Sequence, residues 1–267
     1  MGTHEGGASQ PHGARPRLVA LGASNLARGM LALLDAARAA HSGPVEAFAA
    51  LGRGRSYGIR SSLLGRGLGG IDDCGLWPAL AASARAPTTA IVMDVGNDLL
   101  YGVEVDQLLT WVAAAVQRLR TADARTIVVG LPMTTLRRLG ERRYRLVRSI
   151  LFSRCRLTRT EMLDRAERTH RGLAALARAH GAAFHELPAH GYGFDAIHFR
   201  HRVWPAVARA WLGLEGTATT PPLACNGAWA RLRFLGAAPA VSTWWGRERR
   251  AAQPVRHWAD GTTLALY

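Results

Sequence analysis

Lysine is missing from the 267 residues: all 34 basic positions are arginine, set against 19 acids for a formal charge of +15. In a chain this rich in Ala, Gly and Arg, the imbalance reads first as compositional bias and only second as a surface built for nucleic acid. Cysteine is scarce. Cys74, Cys155 and Cys225 are odd in number and far apart, which excludes a disulfide framework and any zinc-ligand spacing. No run of 18 apolar residues occurs, so no membrane-spanning helix is expected. Met1 to Pro16 is Gly-, His- and Ala-rich, lacks the apolar stretch of a secretory signal and is expected to be disordered. With the sparse cysteines, this points to a cytoplasmic protein. Apolar residues are plentiful: 48% of the chain is hydrophobic and 20% charged, enough for a buried core of one large domain or two small ones.

From Arg17 to Leu214 the pattern alternates between strands and helices. Leu18-Val19-Ala20-Leu21 is a continuous apolar run closed by Gly22, as in a strand buried on both faces. Further strands are expected at 45–51, 90–95, 126–129 and 182–187. Helical spacing predicts helices over 25–39 (Leu26, Met30, Leu33, Leu34, Ala37), 105–120, the 146–151 region and 203–214. Thr158-Arg159-Thr160-Glu161 fits a capping box opening a further helix that stops at Gly181. The alternation implies an α/β fold: a three-layer α/β/α, flavodoxin-like arrangement around a parallel five-stranded sheet. The expected organisation is a domain over 17–214 and a short Trp-rich extension over 215–267, entered through a linker from Thr217 to Pro222. That extension holds Trp229, Trp244, Trp245 and Trp258, with Asp260-Gly261 as a hairpin signal.

Three short polar clusters fall where strands end, the place where ligands gather in open parallel sheets. Ser24 stands in the turn between the first strand and its helix, either as an ordinary N-cap or as an exposed hydroxyl. Asp94-Val95-Gly96-Asn97-Asp98 follows the third strand. Asn97 could be a turn residue, or could donate its amide to a developing oxyanion. In Phe194-Asp195-Ala196-Ile197-His198 the three-residue spacing lets both side chains face one way, with His198 as general base and Asp195 fixing its tautomer. Each cluster has a bland local explanation. Their occurrence together, in this order, favours the catalytic one.

Ser24, a loop glycine, Asn97 and Asp195/His198 resemble the four sequence blocks of the SGNH (GDSL-type) hydrolases, over roughly Arg17 to Leu214. The resemblance implies a serine hydrolase that cleaves carboxylic esters through an acyl-serine. Ser24 would be the nucleophile, His198 the base and Asp195 its partner, with Ser24, Gly54 and Asn97 forming the oxyanion hole. Gly54 is chosen by its distance from the second strand, although Gly52 and Gly58 compete. Two departures stand out. Ala23 replaces the family's Asp in block one, and in block three the glycine comes one place late, at Gly96. No cofactor or metal is implied, and the partner is a small-molecule ester.

Acyl transfer by the same site is an alternative. So is a non-catalytic protein on a degenerate hydrolase scaffold, binding an anionic ligand. The segment Arg137 to Arg178 carries 13 arginines against Glu141, Glu161, Asp164 and Glu167, a net +9 that could face phosphate, an acidic substrate or an anionic lipid surface. Without interleaved aromatics or a known motif, nucleic acid is disfavoured. A nucleotide binder using Gly22 to Asn25 as a phosphate cradle would leave Asp195 and His198 unexplained. Arg28, Arg53, Arg55 and Arg60 lie close to the site in sequence and could read a carboxylate or phosphate. Tyr57 and Tyr101 read as loop packing ahead of pocket lining, and His170, His180, His185, His190 and His201 as solvated or locally bonded.

Overall fold

The computed structural model describes residues 14–63, 65–193, 196–214 and 238–267. Most of the amino-terminal segment, Phe194, Asp195, the linker at 217–222, Cys225 and Trp229 lie outside the described residues.

In chain order the elements are β1 (Arg17–Leu21), α1 (Ser24–Ala40), β2 (Glu46–Ala50), β3 (Ser61–Leu63), β4 (Arg66–Leu68), α2 (Leu76–Ala82), β5 (Thr88–Val92), α3 (Gly96–Leu100), α4 (Val105–Thr121) and β6 (Ala124–Val129). There follow α5 (Met133–Arg137), α6 (Glu141–Leu151), α7 (Arg159–Ala179), β7 (Ala183–His185), α8 (Trp204–Trp211), β8 (Val241–Trp244), β9 (Arg247–Arg250), β10 (Arg256–His257) and β11 (Thr263–Leu266). The main sheet runs β10-β11-β2-β1-β5-β6-β7. The five strands from β1 to β7 in this sheet are parallel, as expected.

The sheet nevertheless has seven strands instead of five. β11 pairs parallel with β2, and β10 antiparallel with β11, so the carboxy-terminal residues extend the sheet beyond β2. Both added strands are short, and their place beside β2 is a tertiary event with no local signature. A second sheet, β3-β4-β8-β9, joins a hairpin from early in the chain to one from its end.

All five residues of β1 are buried because helices cover both faces of the sheet. Leu18 and Ala20 point into one core with Leu26, Met30 and Leu33 of α1 and Trp204 and Trp211 of α8. Val19 and Leu21 point into the other, with Leu108, Val112 and Val116 of α4 and Leu173 of α7. Burial of each such aliphatic side chain is worth about 2 kcal/mol, which makes the period-two and helical stripes the main determinant of the three layers. α7 begins as predicted, with Thr158 accepting from Glu161 N at 3.2 Å and the Glu161 carboxylate accepting from Thr158 N at 2.7 Å.

β1 lies between β2 and β5. The chain leaves β1 towards β2 on one side and later returns to β5 on the other, so a crevice opens between the loops that follow β1 and β5.

Candidate active site

Ser24 is the first helical residue of α1. Ala23 precedes it at the N-cap position, where its own side chain offers no capping bond. The serine hydroxyl instead meets the ring of His198, with Oγ 3.1 Å from Nε2. A capping role for Ser24 is therefore set aside, since its hydroxyl meets an imidazole 174 residues away.

The His198 loop is held to α1 by Asn25. The Asn25 amide nitrogen donates to Ile197 O at 2.8 Å, and its carbonyl oxygen accepts from Phe199 N at 2.7 Å. The same nitrogen donates to Asp94 Oδ1 at 2.9 Å. Asp94 Oδ2 in turn accepts from Ala23 N at 2.9 Å and Leu26 N at 3.0 Å. Ala23 lacks the carboxylate expected in block one, and a carboxylate from the end of β5 ties down this turn. Asp94 adopts φ +64°, a left-handed conformation that Asp tolerates better than bulkier residues do. Burial pushes its carboxyl up, while the bonds from Leu26, Asn25 and Ala23 and the neighbouring His198 hold it down. Neither Asn25 nor Asp94 was singled out as a site residue from sequence. A carboxylate closing the apolar run Ala90–Met93 was the available signal for Asp94. Asn25 had none, since its partners, the Asp94 carboxylate and the backbone of Ile197 and Phe199, all lie far along the chain.

The loop after β2 supplies the opposite wall. Gly54 takes φ +65°, which suits glycine, and its carbonyl accepts from Tyr101 Oη at 2.6 Å. Asn97, in the first turn of α3, donates its amide to Arg55 O at 3.2 Å. With Gly96 immediately before it, Asn97 points at the Gly54–Arg55 segment. Asp98 is fully buried beneath this loop and accepts from Ser56 Oγ and, at 3.1 Å, from Tyr57 N. Burial raises its carboxyl to about 6 despite these bonds. Tyr57 is a buried strut whose hydroxyl donates to Met93 O at 2.9 Å and Leu21 O at 3.1 Å, linking the ends of β5 and β1. The Arg55 guanidinium, 2% exposed, donates to Gly69 O at 3.2 Å and to Tyr267 O, tying the loop to the residue that follows β11.

A cavity of about 480 Å³ lies between these loops. Ser24, Gly54, Asn97 and His198 all line it, together with Asn25 and Asp94. Most of the remaining wall is apolar: Leu99, Leu131, Pro132, Leu136, Phe152 from the end of α6, and Met162 and Ala166 from α7. Of the three competing glycines, Gly54 is in the wall, whereas Gly52 packs against Leu68 and Gly58 against Trp111. Arg28 and Arg53 also reach the cavity. Arg60 is exposed, and Arg55 is buried behind the wall. Tyr101 supports Gly54 and meets Phe152 edge-on at 5.3 Å between centroids.

Asp195 lies outside the described residues. Among the described residues, no group of three His, Cys, Asp or Glu side chains could hold a metal ion. His170 pairs with Glu186 at 3.2 Å, and His201 contacts Arg28 O at 3.2 Å, so both are locally bonded. In the basic segment, Arg137, Arg145, Arg165 and Arg168 are engaged with Glu167, Glu141, Glu104 and Asp106.

No sequence family model matches the chain, and no curated protein matches it. Solved structures do. An inhibitor-bound aryl esterase of M. smegmatis superimposes with a TM-score of 0.51 at 13% identity, covering 74% of this chain and 97% of that one. Est24, a carbohydrate acetylesterase from Sinorhizobium meliloti, gives 0.51 at 14% identity with the same coverage of 74% and 97%. At such identity the likeness is one of architecture alone: this chain shares the α/β fold of these esterases.

Proposed function

We propose that the protein is a serine hydrolase that cleaves carboxylic esters of small molecules through an acyl-serine. The observation that carries this reading is the 3.1 Å approach of Ser24 Oγ to His198 Nε2 in the wall of an apolar cavity. Ser24 Oγ attacks the ester carbonyl while His198 takes its proton. The oxyanion that forms is held by the amides of Ser24 and Gly54 and by the side chain of Asn97. The Asn97 NH₂ has two protons. One is committed to Arg55 O, which orients the amide plane and leaves the other for the substrate. His198 then returns its proton to the departing alkoxide, and the alcohol leaves. Water, deprotonated by His198, next attacks the acyl-serine; the Ser24–acyl bond breaks as His198 returns that proton to Ser24 Oγ, and the carboxylic acid is released. Asp195, three residues before His198, serves in this reading as the group that fixes its tautomer. No step calls for a cofactor. An alcohol in place of water would make the same site an acyltransferase.

The apolar wall favours an acyl group larger than acetyl. The test is hydrolysis of p-nitrophenyl acetate and butyrate by the wild type, Ser24→Ala and His198→Ala. Activity should collapse in both variants with circular dichroism unchanged. An equally active Ser24→Ala would overturn the assignment.

A further inference from the structure

The small sheet β3-β4-β8-β9 takes no part in the chemistry proposed above, yet it grows out of the loop that carries Gly54. β3 follows that loop directly, and the chain returning from β4 is bonded back to it through Ile71 N to Ser56 O at 3.1 Å and Asp72 N to Tyr57 O at 2.8 Å. β8 pairs with β4 and β9 with β8, so the β8–β9 hairpin is mounted on the outer edge of an arm rooted at the cavity wall.

The tip of this hairpin is chemically expensive. Its two-residue loop is Trp245-Gly246, with φ +48° and +81°. Such turns favour Asn, Asp or Gly at both places, because φ is positive at each. A tryptophan there is strained, and strain of this kind persists where the surroundings or a function demand it. The surroundings offer little. Trp245 N donates to Gly65 O at 2.8 Å, and one face of the indole covers Gly65, but the residue remains 81% exposed. Trp244 beside it is 39% exposed and has the guanidinium of Arg66 and that of Arg249 each 6.0 Å from its ring centroid. Arg247, Arg249 and Arg250 face solvent along β9 with Glu248 as its single acid. Arg66 also lies within the field of Arg53, a residue of the cavity wall, whose charge adds to burial in lowering the Arg66 guanidinium.

We propose that the Trp244–Trp245 hairpin tip is a docking site for an anionic lipid surface. Exposed indoles flanked by arginines match the water–lipid boundary: the rings enter the headgroup layer while the guanidinium groups meet lipid phosphates. The excess of arginine over acid on β9 and β4 supplies the complementary charge, and the strained turn supplies the projection. Docking would bring the Arg53 side of the cavity towards the surface. None of this depends on Ser24 being a nucleophile.

The test uses the full chain and sedimentation with vesicles of phosphatidylcholine alone or mixed with phosphatidylglycerol. Trp245→Asn is the informative variant, since Asn accepts the left-handed turn and leaves the net charge unchanged. The wild type should partition onto the mixed vesicles and much less onto phosphatidylcholine alone. Trp245→Asn should weaken that partitioning about tenfold while hydrolysing soluble short esters as the wild type does. Brominated lipid should quench tryptophan emission more in the wild type than in Trp245→Asn. Unchanged binding by Trp245→Asn would mean that charge alone adsorbs the chain, and would overturn the proposal. So would loss of binding only on replacing the exposed Leu146 and Ile150 of α6 by serine, or an absence of vesicle binding in a protein that retains nucleic acid or another protein.

Discussion

Asn25 brackets His198: its amide nitrogen donates to Ile197 O at 2.8 Å and its carbonyl oxygen accepts from Phe199 N at 2.7 Å. The residue next to Ser24 thus fixes the backbone on both sides of the imidazole that Ser24 contacts. Ser24 and His198 are aligned through one side chain, and Asp94 aligns that side chain in turn.

Asn25→Ala should therefore loosen His198 without touching the cavity wall built by α5 to α7. We expect kcat to fall about ten- to a hundredfold with KM little changed, as misplacement of a reacting group typically does. Stability should drop by roughly 1–3 kcal/mol, because buried backbone groups lose their partners. Steady-state kinetics with a soluble ester, beside urea unfolding, checks both. A change confined to KM would contradict the positioning role.

The apolar wall predicts a chain-length profile. Across p-nitrophenyl esters from acetate upward, kcat/KM should rise about fourfold per methylene until the cavity fills. Met162→Trp, on α7, should cut the longer esters sharply and spare acetate. A flat profile in the wild type would show that the acyl chain does not enter this space.

Asp98 predicts a pH effect on stability. Its carboxyl is raised to about 6 in the folded protein from the ordinary 3.8, chiefly by burial. The folded state therefore holds this proton more tightly than the unfolded state. The stability it contributes is full below pH 3.8 and is lost as pH rises through about 6. Asp98→Asn removes the titration, and above pH 6 should be the more stable form by on the order of 3 kcal/mol. Unfolding midpoints across pH 4 to 7 decide it: parallel curves for the two proteins would refute the assignment.

Gly29 predicts a packing limit. A Cβ at this position would lie 2.4 Å from the ring of Trp204, so α1 approaches α8 as closely as it does because residue 29 has no side chain. Gly29→Ala should overpack this contact at a cost of about 1–3 kcal/mol, offset by about 1 kcal/mol of helix propensity. Chemical denaturation should show a net loss, and a stabilised variant would contradict the contact.

The strand and helix alternation was legible because period and burial are local properties of the sequence. The run at Leu18–Leu21 could only be a strand covered on both faces, and Thr158 with Glu161 could only open a helix economically. Ser24, Gly54, Asn97 and His198 were legible as candidates because each stands at a strand end or in a loop, where side chains are released from the core. The role of Asp94 was hidden: its partners lie some 70 residues away, and only the crossover that sets β5 beside β1 brings it under Ala23. The same holds for β11, whose place beside β2 depends on an unpaired edge that exists only once the sheet has formed.

Local chemistry in the sequence thus determined which segments become strands and helices and which polar residues lie outside the core. Tertiary structure decided which of them meet. It placed Ser24 against His198, turned Arg55 O towards Asn97, walled the cavity with apolar residues from α5 to α7, and carried Trp245 to the tip of an arm. Those contacts follow from strand order and helix packing, which arise from the burial of the whole apolar pattern at once and cannot be assigned to any short stretch of it.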